Sequence, residues 1–319
     1  MFKFAHKEPP ATRNAALLTC ASGMVAGTLA LSLALSGCSA AGTAPTAQAD
    51  EGGYDAPALR TVSLNSGAAT GARGCLVDSS NASSGYIMAS ATSSSPLKFQ
   101  MICGDMSYNY DMPNDGTATA FPLNMGSGAY TLRVMQRVEG NNYIQLFGTQ
   151  VQVALNSELD PFLNPSVYCD FSENSQCVAL ARQLIEDANS QAAAAEAIYT
   201  WIVSNISYDS AKARQLTNVT GYTPNPDETL ASRRGICFDY ASLAAAMLRS
   251  VGIPTKIVTG YVADGSIYHA WNMVWLQGQW VNASFTVPAE EWTRIDVTFA
   301  SSGPQIIGGK KDYVERFIY

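Results

Sequence analysis

Histidine is nearly absent from this chain of 319 residues, which contains only His6 and His269. One or two imidazoles and scattered cysteines do not supply a metal-ligand set, so we expect no metal and no other cofactor. Basic clusters are also missing: no run of Lys or Arg is longer than Arg233-Arg234 or Lys310-Lys311, and the formal net charge is −7. Nucleic-acid binding requires a basic surface, so nucleic acid is excluded as a partner.

The N-terminal residues 1–37 have the features of a targeting segment. Lys3, Lys7 and Arg13 precede an apolar run from about residue 15 to residue 35, and Leu35-Ser36-Gly37-Cys38 closes the run. Small residues before a cleavage point suit a signal peptidase. The tetrapeptide resembles the lipobox of bacterial lipoproteins, which implies that Cys38 is lipid-modified. A plain transmembrane anchor is the alternative. Either would hold the protein at a membrane, in an extracytoplasmic position.

Composition and periodicity divide the remainder into three parts. Residues 38–58 are rich in Ala, Gly, Thr and Pro and predict a flexible linker. Residues 59–157 predict a small all-β sandwich, because alternating stretches such as Ala129–Val138 and Tyr143–Leu155 are separated by turn residues. This part is either a structural spacer or a module that binds cell wall or substrate. Residues 158–319 combine helical spacing with later strands and predict an α+β domain.

The cysteines suggest two disulfides and one free thiol. Cys20 and Cys38 belong to the N-terminal segment and its lipid site, which leaves five cysteines. In an oxidising compartment an even set tends to pair. We expect the pairs Cys75–Cys103 and Cys169–Cys177, and Cys237 is then the unpaired thiol.

Cys237 lies at the start of a predicted helix. The run Phe238–Val251 is rich in Ala and Leu, and Gly252 and Pro254 end it. Unpaired N–H groups and the positive end of the dipole at a helix start favour a thiolate. Asp239 opposes this effect, and we expect Arg233 and Arg234 to offset its charge. A buried structural thiol is the alternative reading of Cys237 taken alone.

His269 supplies the base that a thiol nucleophile requires. Thr255–Val262 and Tyr268–Leu276 predict two strands, and Gln277-Gly278 predicts the turn after them. An imidazole has a near-neutral pKa, so His269 is the candidate partner of Cys237. A core histidine is the alternative.

Asp296 is the candidate for the third catalytic residue. A carboxylate orients an imidazole and stabilises its cation better than a hydroxyl does. Two similar segments, beginning at Trp280 and Trp292, place Ser284 and Asp296 at the same position, so Asp296 is preferred. This choice requires residues 284–291 to loop out of the sheet.

Four separated motifs resemble those of bacterial transglutaminase-like domains over roughly residues 160–319. They are Gly235-Ile236-Cys237-Phe238-Asp239-Tyr240-Ala241, Gly260-Tyr261, His269-Ala270-Trp271-Asn272 and Asp296-Val297-Thr298. The resemblance implies a papain-like α+β fold with a Cys-His-Asp triad of Cys237, His269 and Asp296. It also implies acyl transfer or hydrolysis at an amide of a protein or peptide substrate, through a thioester. A non-catalytic binding or assembly module that keeps the fold is the alternative.

Overall fold

The computed structural model describes residues 2–3, 53–217, 219–262, 267–283 and 313–319. Three features predicted from the sequence lie outside these ranges: the apolar run of residues 15–35, the lipid site Cys38, and Asp296. Among the helices of the described residues, none is both long enough and apolar enough to cross a membrane.

The N-terminal region is all-β, as predicted. Its described strands are β1 (Phe2–Lys3), β2 (Thr70–Ala72), β3 (Cys75–Asp78), β4 (Tyr86–Ala91), β5 (Leu97–Cys103), β6 (Met106–Met112), β7 (Thr119–Pro122), β8 (Gly128–Glu139) and β9 (Asn142–Val153). They form a sheet in the order β1-β9-β8-β5-β6 and another in the order β2-β3-β4-β7. All pairings are antiparallel. Buried side chains from both sheets belong to one hydrophobic core.

The hairpin β8–β9 shows why this region forms strands. Tyr130, Leu132 and Val134 alternate along β8 and are buried, because successive side chains of a strand point to opposite faces. Gly140 has a φ of 51°, which permits the tight reversal before β9. The predicted hairpin is therefore confirmed.

The C-terminal region contains the described helices. They are α1 (Gln176–Leu184), α2 (Gln191–Asn205), α3 (Ser210–Leu216), α4 (Pro226–Ser232) and α5 (Cys237–Ser250).

The polar composition of residues 211–235, with Gly221, Pro224 and Pro226, predicts a loop, and this prediction is wrong where α3 and α4 form. The side chains of Asp209 and Asn225 accept hydrogen bonds from the third residue of each helix, and Pro226 occupies the first position of α4. These are N-cap signals, which short polar helices need because they have little apolar periodicity.

A four-stranded antiparallel sheet packs against α5. It is built from β12 (Thr255–Val262), β13 (Ile267–Leu276), β14 (Gln279–Ala283) and β15 (Tyr313–Ile318), in the order β14-β13-β12-β15. The short strands β10 (Ser207–Tyr208) and β11 (Arg234–Gly235) form a parallel pair before α5. The predicted strands Thr255–Val262 and Tyr268–Leu276 are confirmed as β12 and β13, and His269 lies within β13. The helix and sheet together make this region α+β.

Aromatic side chains join the two regions into one core. Tyr110 of β6 lies 5.4 Å from Phe121 of β7, 5.7 Å from Tyr168 and 5.8 Å from Tyr319, measured between ring centroids. Tyr168 in turn lies 5.2 Å from Phe238, the second residue of α5. The predicted domain boundary between residues 157 and 158 therefore crosses a continuous hydrophobic core.

The predicted disulfides are not formed. Cys75, Cys103, Cys169, Cys177 and Cys237 are all free thiols. Cys75 belongs to one β-sheet and Cys103 to the other. Cys169 and Cys177 are both buried in the core, and Cys177 is hydrogen-bonded through its thiol to Asp227. Cys237 is therefore distinguished by its position in the fold and not by being the one unpaired cysteine.

Candidate active site

Cys237 is the first residue of α5 and lies half-buried at its N-terminus. Burial raises the pKa of the Cys237 thiol to about 11, while hydrogen bonds from the backbone N–H groups of Ala270 and Phe238 act in the opposite direction. Desolvation thus outweighs the N–H groups that a helix start provides. At neutral pH the resting thiol is protonated, which differs from the thiolate expected from the helix position.

Strand β13 carries His269, and the backbone next to His269 lies close to this thiol. The N–H of Ala270, the residue after His269, is a hydrogen-bond donor to the Cys237 sulfur. His269 pairs with Gly260 of β12. Burial lowers the pKa of His269 to about 4, so the imidazole is neutral at pH 7.

Asp239 is a fully buried carboxylate two residues after Cys237. Its Oδ2 accepts a hydrogen bond from the N–H of Ile236 at 2.8 Å and pairs with Lys212 Nζ at 2.7 Å. The hydroxyl of Tyr222 donates to Oδ1. Lys212 also lies 4.8 Å from the centre of the Tyr222 ring. Asp239 thus caps helix α5, and the charge it places near the Cys237 thiol is compensated by Lys212 of α3.

Arg233 and Arg234 do not offset Asp239, contrary to expectation. Arg233 ends α4 with a φ of 55°, and its guanidinium lies 4.5 Å from the ring centre of Trp201. Arg234 Nε lies 3.6 Å from Asp209 Oδ2. Both arginines are close to Asp239 in sequence, but the turn between α4 and α5 directs their side chains to Trp201 and Asp209 instead.

Asn272 is a positioning residue that the sequence analysis quoted within a motif without assigning a role. It is fully buried. Its Nδ2 donates to the carbonyl oxygens of Ala241 at 3.0 Å and Lys256 at 3.2 Å, and its Oδ1 accepts from the Tyr199 hydroxyl at 3.0 Å. It therefore ties β13 to the first turns of α5, three residues from His269. The signal for Asn272 in the sequence was its polar side chain within an otherwise apolar strand.

The structure brings together the elements that carry Cys237 and His269. Asp296 lies outside the described residues, so its role as the third catalytic residue stays a prediction. Within the part of the chain that the structure describes, no group of three or more His, Cys, Asp or Glu side chains is arranged to hold a metal ion.

Comparison with known proteins identifies the region around this site. Residues 178–285 match the model of the transglutaminase-like superfamily. The human kyphoscoliosis peptidase is 27% identical over 138 residues, which cover 40% of this chain and 20% of that protein. The mouse kyphoscoliosis peptidase is 30% identical over 111 residues, covering 32% and 16% of the two chains. An uncharacterised protein of Mycobacterium leprae is 27% identical over 143 residues, covering 41% and 48%.

The chain thus spans a fifth or less of the length of the kyphoscoliosis peptidases and about half of the mycobacterial protein. Among solved structures, a candidate cysteine protease of Cytophaga hutchinsonii is 20% identical with a TM-score of 0.38, covering 73% of this chain and 79% of that one. Red sea bream transglutaminase is 13% identical with a TM-score of 0.26, covering 64% and 48%. The match of residues 178–285, together with the helix and sheet that they form, shows that this chain contains a transglutaminase-like domain of papain-like fold, preceded by an all-β region.

Proposed function

We propose that this protein is an extracytoplasmic lipoprotein whose transglutaminase-like domain transfers or hydrolyses acyl groups at amides, with Cys237 as nucleophile and His269 as base. The observation that carries the proposal is the junction of α5 and β13: Cys237 is the first residue of α5, and Asn272, three residues after His269 on β13, donates a hydrogen bond to Ala241 of α5 at 3.0 Å. A free cysteine at the start of the helix thus lies next to the strand that carries the histidine.

The Cys237 sulfur attacks the carbonyl carbon of a glutamine carboxamide or a peptide bond while its proton passes to His269. Backbone N–H groups at the start of α5, including that of Cys237, stabilise the oxyanion. The protonated imidazole then gives its proton to the leaving nitrogen as the carbon–nitrogen bond breaks, which leaves a thioester. An amine or water releases the acyl group and restores the thiol. Asp296 would orient the imidazole.

The protonation states of the two groups support concerted proton transfer over a preformed ion pair. Burial keeps Cys237 in its thiol form and His269 in its neutral form, because both pKa shifts disfavour charge. His269 can therefore accept a proton at any pH well above 4. Desolvation also strengthens hydrogen bonds to the oxyanion once the substrate has entered.

The membrane location rests on the first residues of the chain. In this proposal Cys38 carries the lipid, residues 39–58 form the tether, and the domain acts on protein or peptide substrates outside the cytoplasm. Mass spectrometry of the N-terminal peptide from cells that process lipoproteins is expected to find diacylglycerol-modified Cys38. A mature chain that still contains residues 1–37 would contradict this part of the proposal.

The catalytic part is tested by incubating the purified chain with a glutamine-containing peptide and a fluorescent primary amine. Amine incorporation, ammonia release and peptide cleavage are measured together, so that transfer, deamidation and proteolysis are separated. We expect at least one of these activities, with a loss of at least 100-fold in kcat for Cys237→Ala and His269→Ala. Cys103→Ala is the matched control, since Cys103 is another half-buried free thiol.

Activity that survives in Cys237→Ala would exclude the proposed nucleophile. Absence of all three activities across a panel of glutamine and peptide substrates, with Cys237 alkylated no faster than Cys103, would favour a non-catalytic binding or assembly module that retains the fold.

A further inference from the structure

A cavity of about 450 Å³ lies at the other end of the sheet from His269. Trp275 of β13 contributes to it, and six residues of extended strand separate Trp275 from His269, or about 20 Å. Its lining also includes Trp280, Phe162, Lys256, Glu158 and Asn124. The volume falls within the range of about 300–1,000 Å³ typical of sites for small ligands. The proposed acyl-transfer chemistry uses none of these residues.

Lys256 is the charged group of this cavity that most needs a partner. Its Nζ lies 4.0 Å from the ring centre of Trp280 and 4.9 Å from that of Phe162. Burial lowers the pKa of Lys256, and Glu315 counteracts the shift. The ammonium has no hydrogen bond or ion pair with an oxygen of the described residues, and the two aromatic faces compensate only part of its lost hydration.

The lining also contains two polar side chains with acceptor atoms, Glu158 and Asn124. Glu158 is exposed and is held by the hydroxyl of Ser127, which lies 3.4 Å from its Oε1. The Nδ2 of Asn124 donates to the backbone oxygen of Ile318 and to the Tyr110 hydroxyl, which orients the amide. The Oδ1 of Asn124 is buried away from solvent, so Glu158 is the acceptor that a ligand in the cavity can reach.

The indole rings provide the apolar wall. Trp275 and Trp280 lie 5.3 Å apart at an interplanar angle of 67°, and Phe162 meets Trp280 edge-on at 5.4 Å. Such rings bury a side chain at little entropic cost because they have few rotatable bonds. The cavity therefore combines a cation, acceptors for N–H groups and an aromatic wall.

We propose that this cavity binds the C-terminal end of a peptide, with its carboxylate on Lys256, its last N–H on Glu158, and its last side chain against Trp275 and Trp280. A cationic ligand would be repelled by Lys256. A neutral saccharide would leave that ammonium without an anionic oxygen at ion-pair distance. A carboxylate adjacent to N–H donors and an apolar side chain satisfies all three features of the lining.

Binding is tested by calorimetric titration of the full chain with an N-acetylated tripeptide that ends in phenylalanine. The free acid is expected to bind at least tenfold more tightly than the C-terminal amide of the same peptide. Lys256→Met is expected to lose at least tenfold in affinity, whereas Lys256→Arg retains most of it. Cys237→Ala is expected to bind as wild type does, which separates this site from the proposed catalytic chemistry.

Circular dichroism and thermal unfolding of each variant show whether Lys256→Met is folded. If it is not, the comparison of acid with amide and the behaviour of Lys256→Arg still decide the question. Equal affinity for acid and amide, no binding of either peptide, or binding of glucuronic acid in place of the peptide would each overturn the proposal.

Discussion

At the scale of single residues, burial controls the charges of the candidate active site. Asp239 is fully buried and carries Lys212 and Tyr222 as partners, so a carboxylate can lie beside Cys237 without a bare negative charge. For Cys237 and His269, desolvation is the largest influence on the pKa, and both groups are shifted toward their neutral forms. Cys237 and His269 are therefore both uncharged at neutral pH before a substrate displaces water from the site.

His269 makes a pH-dependent contribution to stability that can be measured. A histidine in the unfolded chain titrates near pH 6.5, whereas the folded protein holds the pKa of His269 at about 4. The unfolded state therefore takes up a proton first, so stability is highest above pH 6.5 and falls as the pH decreases toward 4. Between pH 7 and pH 4.5 we expect wild type to lose about 2 kcal/mol more in the free energy of unfolding than His269→Gln loses.

Urea denaturation of both proteins at several pH values provides the measurement, and the difference between the two curves removes the contribution of the carboxylates. Parallel curves would mean that the imidazole titrates alike in the folded and unfolded chains.

At the scale of secondary-structure elements, the site depends on how β13 is held against α5. From a position without solvent access, Asn272 of β13 donates hydrogen bonds to Ala241 of α5 and Lys256 of β12 and accepts one from Tyr199 of α2. Asn272→Ala leaves buried partners without hydrogen bonds and creates a small cavity, so we expect a loss of about 3 kcal/mol in the free energy of unfolding. Tyr199→Phe removes one of these bonds and is expected to cost about 1 kcal/mol.

Urea unfolding gives both free energies, and the acyl-transfer assay below the unfolding range tests the positioning role. We expect kcat to fall in Asn272→Ala by more than the small unfolded fraction explains, while Tyr199→Phe stays near wild type. If Asn272→Ala were no more destabilising than Tyr199→Phe, Asn272 would not be the residue that joins strand and helix.

At the scale of the whole molecule, the β region and the transglutaminase-like domain share one core. Phe121 is fully buried in the β region and lies 4.4 Å from Phe99 and 5.4 Å from Tyr110, which reaches Tyr168 and Tyr319. Removal of a ring at such a position costs about 3–5 kcal/mol. We therefore expect Phe121→Ala to destabilise the C-terminal region as well as the sandwich.

The distribution of tryptophan makes this prediction easy to check, because all five tryptophans lie between residues 201 and 292. Tryptophan fluorescence thus reports on the C-terminal region, and far-ultraviolet circular dichroism reports on the whole chain. Both midpoints of thermal unfolding are expected to fall together in Phe121→Ala, and Val138→Ala, at an exposed position of β8, is the control. An unchanged fluorescence midpoint would show two independent units.

The sequence by itself determined the elements whose signals are local. Alternation predicted β8, β9, β12 and β13, and the Ala-rich run with Gly252 and Pro254 predicted α5 and its end. Cys237 at the helix start and His269 on the strand followed from those elements, since a side chain's place in a helix or strand depends on its near neighbours. The short helices α3 and α4 were missed because their signals are caps and not apolar periodicity.

Tertiary structure alone decided what depends on residues distant in the chain. Lys212, and not Arg233 or Arg234, meets Asp239, because α3 folds back onto the start of α5. Desolvation, which no local pattern encodes, makes Cys237 a protonated thiol in place of the thiolate expected from the helix dipole. The same is true of the free cysteines, the shared aromatic core and the cavity around Lys256, since each arises only when separate elements pack together.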